Sequence, residues 1–391
     1  MKLRVALIVS HPIQHFCPQY VSFAENKDIE FKVFFASMLG FKKYVDPDFK
    51  QEISWGNLEL DKFEHEFLNG DKVLPAEKNL DAVTLDKALD DFKPSLIITY
   101  GYFQLLQKRA HKWAKSNNVA IAYIADSERR QHRGLLKELV KYPWVRWYFS
   151  RINYFLSVGN ANEDFYRYHA VKPEQIIRMH FPIDIKYYSD CFEQKYKLRM
   201  QIRQENNIRD DETVISVVGK LVNWKNQDHL IDAMLRLEQE GVYMHLFILG
   251  SGPEMKIWQE KAAALKKSKV HFPGFVNIEK LPAYYAASDF YVHPASVEPH
   301  SIAISEAIFM GCPIIISDRC GSYGETDDVQ EGKTGYVYKF GDIEALAEKI
   351  KWMIQHPAER KQLSENAHNN AVQFQRRSHR EALNELVQLI K

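Results

Sequence analysis

The sequence predicts an α/β protein built from two doubly wound parallel-sheet domains that face a central cleft. Three observations predict it. The chain has 391 residues, more than one ordinary core organises, so two domains are expected. Short β-branched or apolar runs alternate with longer amphipathic ones, the pattern of parallel strands joined by crossover helices. That alternation occurs twice, with the polar stretch DIKYYSDCFEQKYK, residues 184–197, read as a linker between the halves.

The strand candidates of the first half, in order, are RVALIV, EFKVFF, SLIITY, VAIAYI and YFLSV. Those of the second are TVISVVG, HLFILG, VHFPG, FYVHP, PIIIS and GYVY. Each is short, bounded by turn residues and rich in valine, isoleucine or aromatics. Helical patterns intervene, among them 226–240, 253–267, 302–310 and 343–355, and REALNELVQLIK closes the chain as an amphipathic helix. The opening MKLRVALIVSHPIQH has an apolar run only from Val5 to Val9, too short for a secretory signal and suited to a first buried strand. No segment approaches the roughly 18 apolar residues that span a bilayer.

Bulk properties narrow the function. A composition of 46% hydrophobic and 26% charged residues is that of a folded soluble protein. A net charge of +1 supplies no global field for nucleic acid, so no nucleic-acid partner is expected. The four cysteines, Cys17, Cys191, Cys312 and Cys320, lack CxxC spacing and read as reduced thiols of a cytoplasmic protein.

In doubly wound sheets, ligands sit at the carboxyl ends of strands, so chemistry is expected at the strand ends. In VVGKLVNWKNQDHLIDA a strand ends at Gly219, Lys220 follows, and Lys225 stands near the next helix. Two cations there suit a diphosphate, although solvated lysines flanking a loop give the same spacing. In FILGSGPEMKIWQEKA, Gly250 and Gly252 bracket a tight turn before Pro253 and Glu254 open a helix. In VHFPGFVNIEKLPAYYAASD, Gly274 closes a strand and exposes the backbone of Phe275 and Val276, which could read a base edge or simply form a turn.

The stretch SVEPHSIAISEAIFMG carries Glu298 and Glu306 in E-x7-E spacing. On one continuous helix the two would stand about 80° apart, so Glu298 is placed on a loop, Ser301 at a helix start and Glu306 about a turn further in. Two acids converging from a loop and a helix suggest a polyhydroxylated ligand.

The ordered set GK…K, GSGPE, PGFV, SDFYVHP, E-x7-E, GCPIIISD and EGKTGYVY resembles the carboxy-terminal domain of the family 4 retaining glycosyltransferases, closely over about residues 213–355. HFPIDIKYY resembles the family's interdomain segment, whereas the first 130 residues match only in general pattern. The resemblance implies a GT-B fold of two Rossmann-like domains: an acceptor-side domain at 1–185, rejoined by a helix at about 372–391, and a donor-binding domain at 186–371. It implies that Lys220 and Lys225 hold the donor diphosphate, with Gly219 and Gly250 at the strand ends and Phe275 and Val276 at the base. Glu306 would bond the ribose, Glu298 would face the transferred sugar or adjoining phosphate, and the backbone amides of His300, Ser301 and Ile302 would reach the sugar and phosphate.

The implied reaction is transfer of a hexose from a nucleoside diphosphate sugar to an acceptor hydroxyl with retention, with UDP-glucose or a related UDP-hexose the expected donor. No metal is expected to be required, and no cofactor beyond the donor itself. A glycan, a lipid-linked glycan or a small molecule would be the acceptor.

Two departures bear on specificity. His300 and Ser301 stand where the family usually has an aromatic and a glycine, and a serine there can cap the helix or bond the sugar. The first strand–helix loop, SHPIQHFCPQY, has no glycine, which makes His11, Gln14 and His15 candidate side-chain contacts to donor or acceptor. In YIADSERRQHRG, Asp126 follows a buried strand; it is either a contact to the reacting sugar or a helix cap. The adjacent RRQHR, residues 129–133, is either a grip for an anionic acceptor or a solvated basic turn. KYPWVRWYFSR, residues 141–151, joins aromatic to basic residues and fits a membrane interface, a glycan or packing on its own domain.

Rival readings remain open at this point. A metal-dependent GT-A transferase would use Asp-x-Asp, and the triplet Asp46-Pro47-Asp48 reads as a turn instead. A dinucleotide oxidoreductase would carry G-x-G-x-x-G after the first strand, and VSHPIQHF has no glycine. An epimerase of the same fold, or a non-catalytic nucleotide-sugar binding protein, would share the donor residues.

Overall fold

The computed structural model describes residues 2–46, 51–53, 56, 58–131 and 135–391. Pro47 and Asp48 of the acidic triplet, and His132 and Arg133 of the basic turn, lie outside the described residues. The strands of the first half are β1 (Leu3–Val9), β2 (Ile29–Phe35), β3 (Tyr44–Asp46), β4 (Gln51–Ile53), β5 (Glu64–Phe67), β6 (Leu96–Tyr100), β7 (Ala120–Ala125), β8 (Tyr154–Ser157) and β9 (Ile176–Arg178). Those of the second are β10 (Val214–Val218), β11 (His245–Leu249), β12 (Lys269–Gly274), β13 (Phe290–His293), β14 (Ile314–Ser317) and β15 (Gly335–Tyr338).

Two parallel sheets result. The first runs β5-β2-β1-β6-β7-β8-β9 and the second β12-β11-β10-β13-β14-β15, while β3 and β4 form a separate antiparallel pair. Strand β1 shows why the sheets are doubly wound: Ala6 and Ile8 enter one apolar cluster, and Val5, Leu7 and Val9 enter the other. With period-2 alternation and both faces apolar, the strand must be covered on both sides. The two Rossmann-like α/β units are those of a GT-B architecture.

Strand order reverses between β1 and β6 in one sheet and between β10 and β13 in the other. Neighbouring loops diverge at such a reversal and leave a crevice beyond the carboxyl ends of the strands. The loops that follow β1, β6, β10 and β13 therefore border it, and each contributes residues to one cavity.

Two expectations need correction. Residues 184–197 are not a loose linker; they enter two helices, Ile185–Glu193 and Lys195–Glu205. Asp184 caps the first by accepting from the Tyr187 N–H at 3.0 Å. Tyr188 and Ile202 are buried, and buried Arg203 pairs with Asp289 at 2.9 Å, so the polar surface conceals a packing face. The helix expected at 253–267 spans only Met255–Ala262.

The chain crosses between the sheets twice. The second crossing follows the helix Pro357–Arg376 through a π-helical turn, Arg377–Glu381, into the helix Ala382–Ile390. There Ala382, Leu383, Leu386 and Val387 share a core with Val5 and Leu7 of β1. The two crossings are bonded together: Ser378 Oγ donates to the His180 carbonyl at 2.6 Å, and His379 Nε2 lies 3.0 Å from the Ile183 carbonyl. Among the described residues no helix is long and apolar enough to cross a membrane.

Candidate active site

A cavity of about 740 Å³ opens between the two sheets. It is lined by Gln14, His15 and Asp126 from the first half, and by Gly219, Lys220, Lys225, Gly250, Phe275, Val276, Glu298, His300, Ser301, Ile302 and Glu306 from the second. Of the residues expected to contact donor or acceptor, the cavity lining includes all but His11. That side chain instead meets Ser10, with His11 Nδ1 2.9 Å from the Ser10 hydroxyl.

The glycines set how closely the strand ends approach. Gly219 has φ +155° and Gly250 φ +145°, and a Cβ on Gly250 would lie 1.9 Å from the Gly219 carbonyl oxygen. No larger residue fits at Gly250, so the turns after β10 and β11 can lie against each other and hold the Lys220 backbone at the cavity wall. Lys225 ends a single 3₁₀ turn, Asn223–Lys225, which stops at Asn226 with φ +52°. That loop is tied to the glutamate loop, because the Ser296 N–H donates to the Trp224 carbonyl at 2.9 Å.

Glu298 is the charged hub. Its carboxylate forms an ion pair with Lys225 and accepts from His293 Nε2 at 3.1 Å, while His293 Nδ1 lies 3.2 Å from the Tyr291 hydroxyl. Burial disfavours the charge on Glu298, but the His293 hydrogen bond and the Lys225 cation outweigh it and hold the carboxyl at about 2. Burial also pushes His293 below its ordinary value, so the ring is neutral; the Glu298 contact then selects the Nε2–H tautomer. His293 was not recognised from the sequence. The signal was the histidine in FYVHP, five residues before the first glutamate.

Glu306 has the opposite character. It lies on the helix Ile302–Phe309, buried, and accepts from the Tyr285 hydroxyl at 3.0 Å. Burial raises its carboxyl to about 7 despite the hydroxyls of Tyr285 and Tyr188. His15 approaches it from the first half, with Nδ1 3.9 Å from Glu306 Oε1, and burial lowers His15 to about 4. Two glutamates on one short segment therefore differ in charge near neutral pH: one is fixed as an anion, the other is poised between forms.

The helix start departs from expectation. The Ser301 N–H donates to Ser322 Oγ at 2.9 Å, so it is engaged within the protein. The Ser301 side chain makes no cap hydrogen bond either. Ser322 also meets His300 Nδ1 at 2.9 Å, which fixes the His300 ring in the wall, and the Phe181 ring lies 5.0 Å from it. Burial drives His300 down to about 3, so it is neutral.

Asp126 lines the cavity on the first-half side, beyond the end of β7. The two arginines after it are engaged within the protein. Arg129 lies over the Tyr168 ring at 3.5 Å, and Arg130 reaches across to the second half. Sequence reasoning also passed over the aromatic part of the wall, Phe16, Tyr100 and Phe181, whose rings pack at 5.2 and 5.9 Å around Phe16. Among the described residues no group of three or more His, Cys, Asp and Glu side chains converges as metal ligands would.

Residues 199–370 match the family model described as Glycosyl transferases group 1. The GDP-mannose-dependent alpha-(1-6)-phosphatidylinositol monomannoside mannosyltransferase of Mycolicibacterium smegmatis is 29% identical over 177 residues, 43% of this chain and 45% of that protein. The chain spans less than half the length of the curated relatives it matches. Among solved structures, a glycosyltransferase from Rickettsia africae ESF-5 superposes with a TM-score of 0.72 at 14% identity, over 100% of this chain and 98% of that one. The Anabaena protein HepE, solved in complex with UDP, gives 0.68 at 17% identity over 100% and 98%. At such identities the likeness concerns the fold.

Proposed function

From a carboxy-terminal domain that belongs to the glycosyl transferases group 1 family, we propose that this chain is a retaining glycosyltransferase. It moves a hexose from a nucleoside diphosphate sugar to an acceptor hydroxyl, without a metal. The donor proposed is a UDP-hexose, UDP-glucose first, and the acceptor a glycan or lipid-linked glycan in glycoconjugate or polysaccharide synthesis. One observation carries the reading: Lys220, Lys225, Glu298 and Glu306 line a single cavity at the reversal points of two facing sheets.

The division of labour follows from the charges. Lys220 and Lys225 meet the diphosphate and stabilise the charge that develops on it as the glycosidic bond breaks. Glu298, ionised near neutral pH and anchored by His293, accepts from hydroxyls of the transferred sugar and keeps Lys225 aimed at the phosphate. Glu306 takes the ribose hydroxyls. Asp126 orients the sugar or the acceptor from the facing domain. The departing phosphate oxygen accepts the acceptor's proton, so no side-chain nucleophile is assigned; positioning and exclusion of water do the rest.

The test is calorimetric titration with UDP, GDP and ADP in a chelator, on wild type, Lys225→Ala and Glu306→Ala. Tight binding of UDP that weakens at least about tenfold in both variants supports the reading, the size of one lost charge-assisted contact. A preference for GDP would replace the donor, and binding of no nucleotide would remove the site assignment.

A further inference from the structure

Along the helix Leu135–Phe149, the side chains described from Val140 onward form two apolar faces, one covered and one exposed. Val145, Tyr148 and Phe149 are buried in the core of the first sheet. Val140, Trp144 and Trp147 are 78%, 41% and 54% exposed. At 100° per residue these three fall within about 60° of one another, roughly a third of a turn from the buried set. A solvent-facing stripe with a valine and two tryptophans is not what a helix resting on its own domain requires.

The neighbouring surface continues it. The Tyr102 ring packs on Trp144 at 5.2 Å, and Phe103 beside it and Leu105 at the start of the helix Leu105–Ser116 are 60% and 43% exposed. Positive charge sits at the margins: Lys141 Nζ lies 5.6 Å from the Tyr102 ring, and the Arg151 guanidinium stacks 3.5 Å over Trp147. Residues 140–151 contain three basic side chains and no acidic one, in a chain whose net charge is only +1. Gly101, one residue before Tyr102, lines the cavity, so the patch borders the cleft.

We infer that this patch, formed by Val140, Trp144, Trp147, Phe103 and Leu105 with Lys141 and Arg151 at its edge, docks the protein on an anionic lipid bilayer. Tryptophan favours the headgroup level, where its ring is buried and its N–H stays wet. A basic side chain stacked on such a ring keeps its charge at the same depth, against anionic headgroups. The chain would lie on the surface with the cleft mouth close to it, within reach of a lipid-linked acceptor. That use rests on the transferase reading, but the docking does not.

The test is sedimentation of the full chain with vesicles of phosphatidylcholine alone and of phosphatidylcholine with 30% phosphatidylglycerol, in low and high salt. Wild type is expected to bind the anionic vesicles and to be released by salt. The pair Trp144→Ser, Trp147→Ser is expected to lower binding by at least about tenfold, and Lys141→Ala or Arg151→Ala by about fivefold each. Unchanged melting temperatures would show that the exposed substitutions leave the fold intact. Failure of wild type to bind anionic vesicles, or full binding by the tryptophan pair, overturns the inference. So does a dimer that the tryptophan substitutions dissociate without vesicle binding, because the occupant would then be a second copy of the chain.

Discussion

At the scale of single residues, the two glutamates of the E-x7-E segment respond to opposite surroundings. Glu298 has a cation and a histidine donor beside it, whereas Glu306 has hydroxyls and a neutral ring. Burial raises Glu306 from the ordinary 4.5 to about 7, so the native state holds its proton more tightly than the unfolded chain does. Its contribution to stability is therefore present below about 4.5 and is lost as pH rises through about 7. Glu306→Gln keeps the acceptor for Tyr285 and removes the titration. In urea denaturation the variant should match wild type near pH 4 and exceed it at pH 8 by on the order of 2 kcal/mol. An equal difference at both pH values would mean that the carboxyl is not held protonated. None of this was visible in the spacing, which identified both acids and set them apart on a loop and a helix but said nothing of what surrounds them.

At the scale of elements, eleven strands were legible because each is a concentrated β-branched or aromatic run in a sheet interior or beside one. Four strands were missed: β5 (EHEF) and β9 (IIR) are short edge strands with one pairing partner each, and β3 (YVD) and β4 (QEI) are three-residue strands that pair only with each other, all too short to signal burial. The supposed linker failed for a related reason: within it only Tyr188 is buried, while Ile185, Tyr187 and Phe192 pack half-buried on the second core, so the stretch looks polar until its partners are known. Of the candidate site, the strand-end residues were legible and the anchoring ones were not. His293, Tyr285 and Ser322 act on Glu298, Glu306 and Ser301 only through the fold. The turn after β11 gives a direct check of how tightly elements meet. Gly250→Ala would drive a methyl into the Gly219 carbonyl, whereas at Gly241, φ +79°, a Cβ meets nothing within 4 Å. Gly241→Ala should cost about 1 kcal/mol from backbone strain alone. Gly250→Ala should cost at least about 3 kcal/mol and weaken nucleotide binding as well. Equal losses in urea denaturation would show that the strand ends can separate freely.

At the scale of the whole molecule, the halves are held around the cleft by more than their two chain crossings. The Arg130 guanidinium donates to the carbonyls of Cys320 and Tyr323 at 2.9 and 2.8 Å and lies 3.5 Å over the Tyr323 ring. Nearby, Asp327 of the second half accepts from the Asn160 N–H at 2.7 Å and so caps the helix Asn160–Tyr168 of the first. These contacts lie on the side of the cleft that carries Asp126, and they join segments that move apart if the domains open. Two hydrogen bonds from a charged donor and a stacked ring together stabilise the closed arrangement by about 3 kcal/mol. Arg130→Ala should therefore populate an open form. Small-angle scattering should report a radius of gyration above the roughly 21 Å of a compact chain of this length, with wild type closer to it. Arg129→Ala is the matched control, because Arg129 stacks on Tyr168 within its own half and its removal should leave the dimension unchanged. If Arg130→Ala scatters like wild type, the two crossings alone set the cleft, and the π-helical turn at Arg377–Glu381 becomes the element on which closure depends.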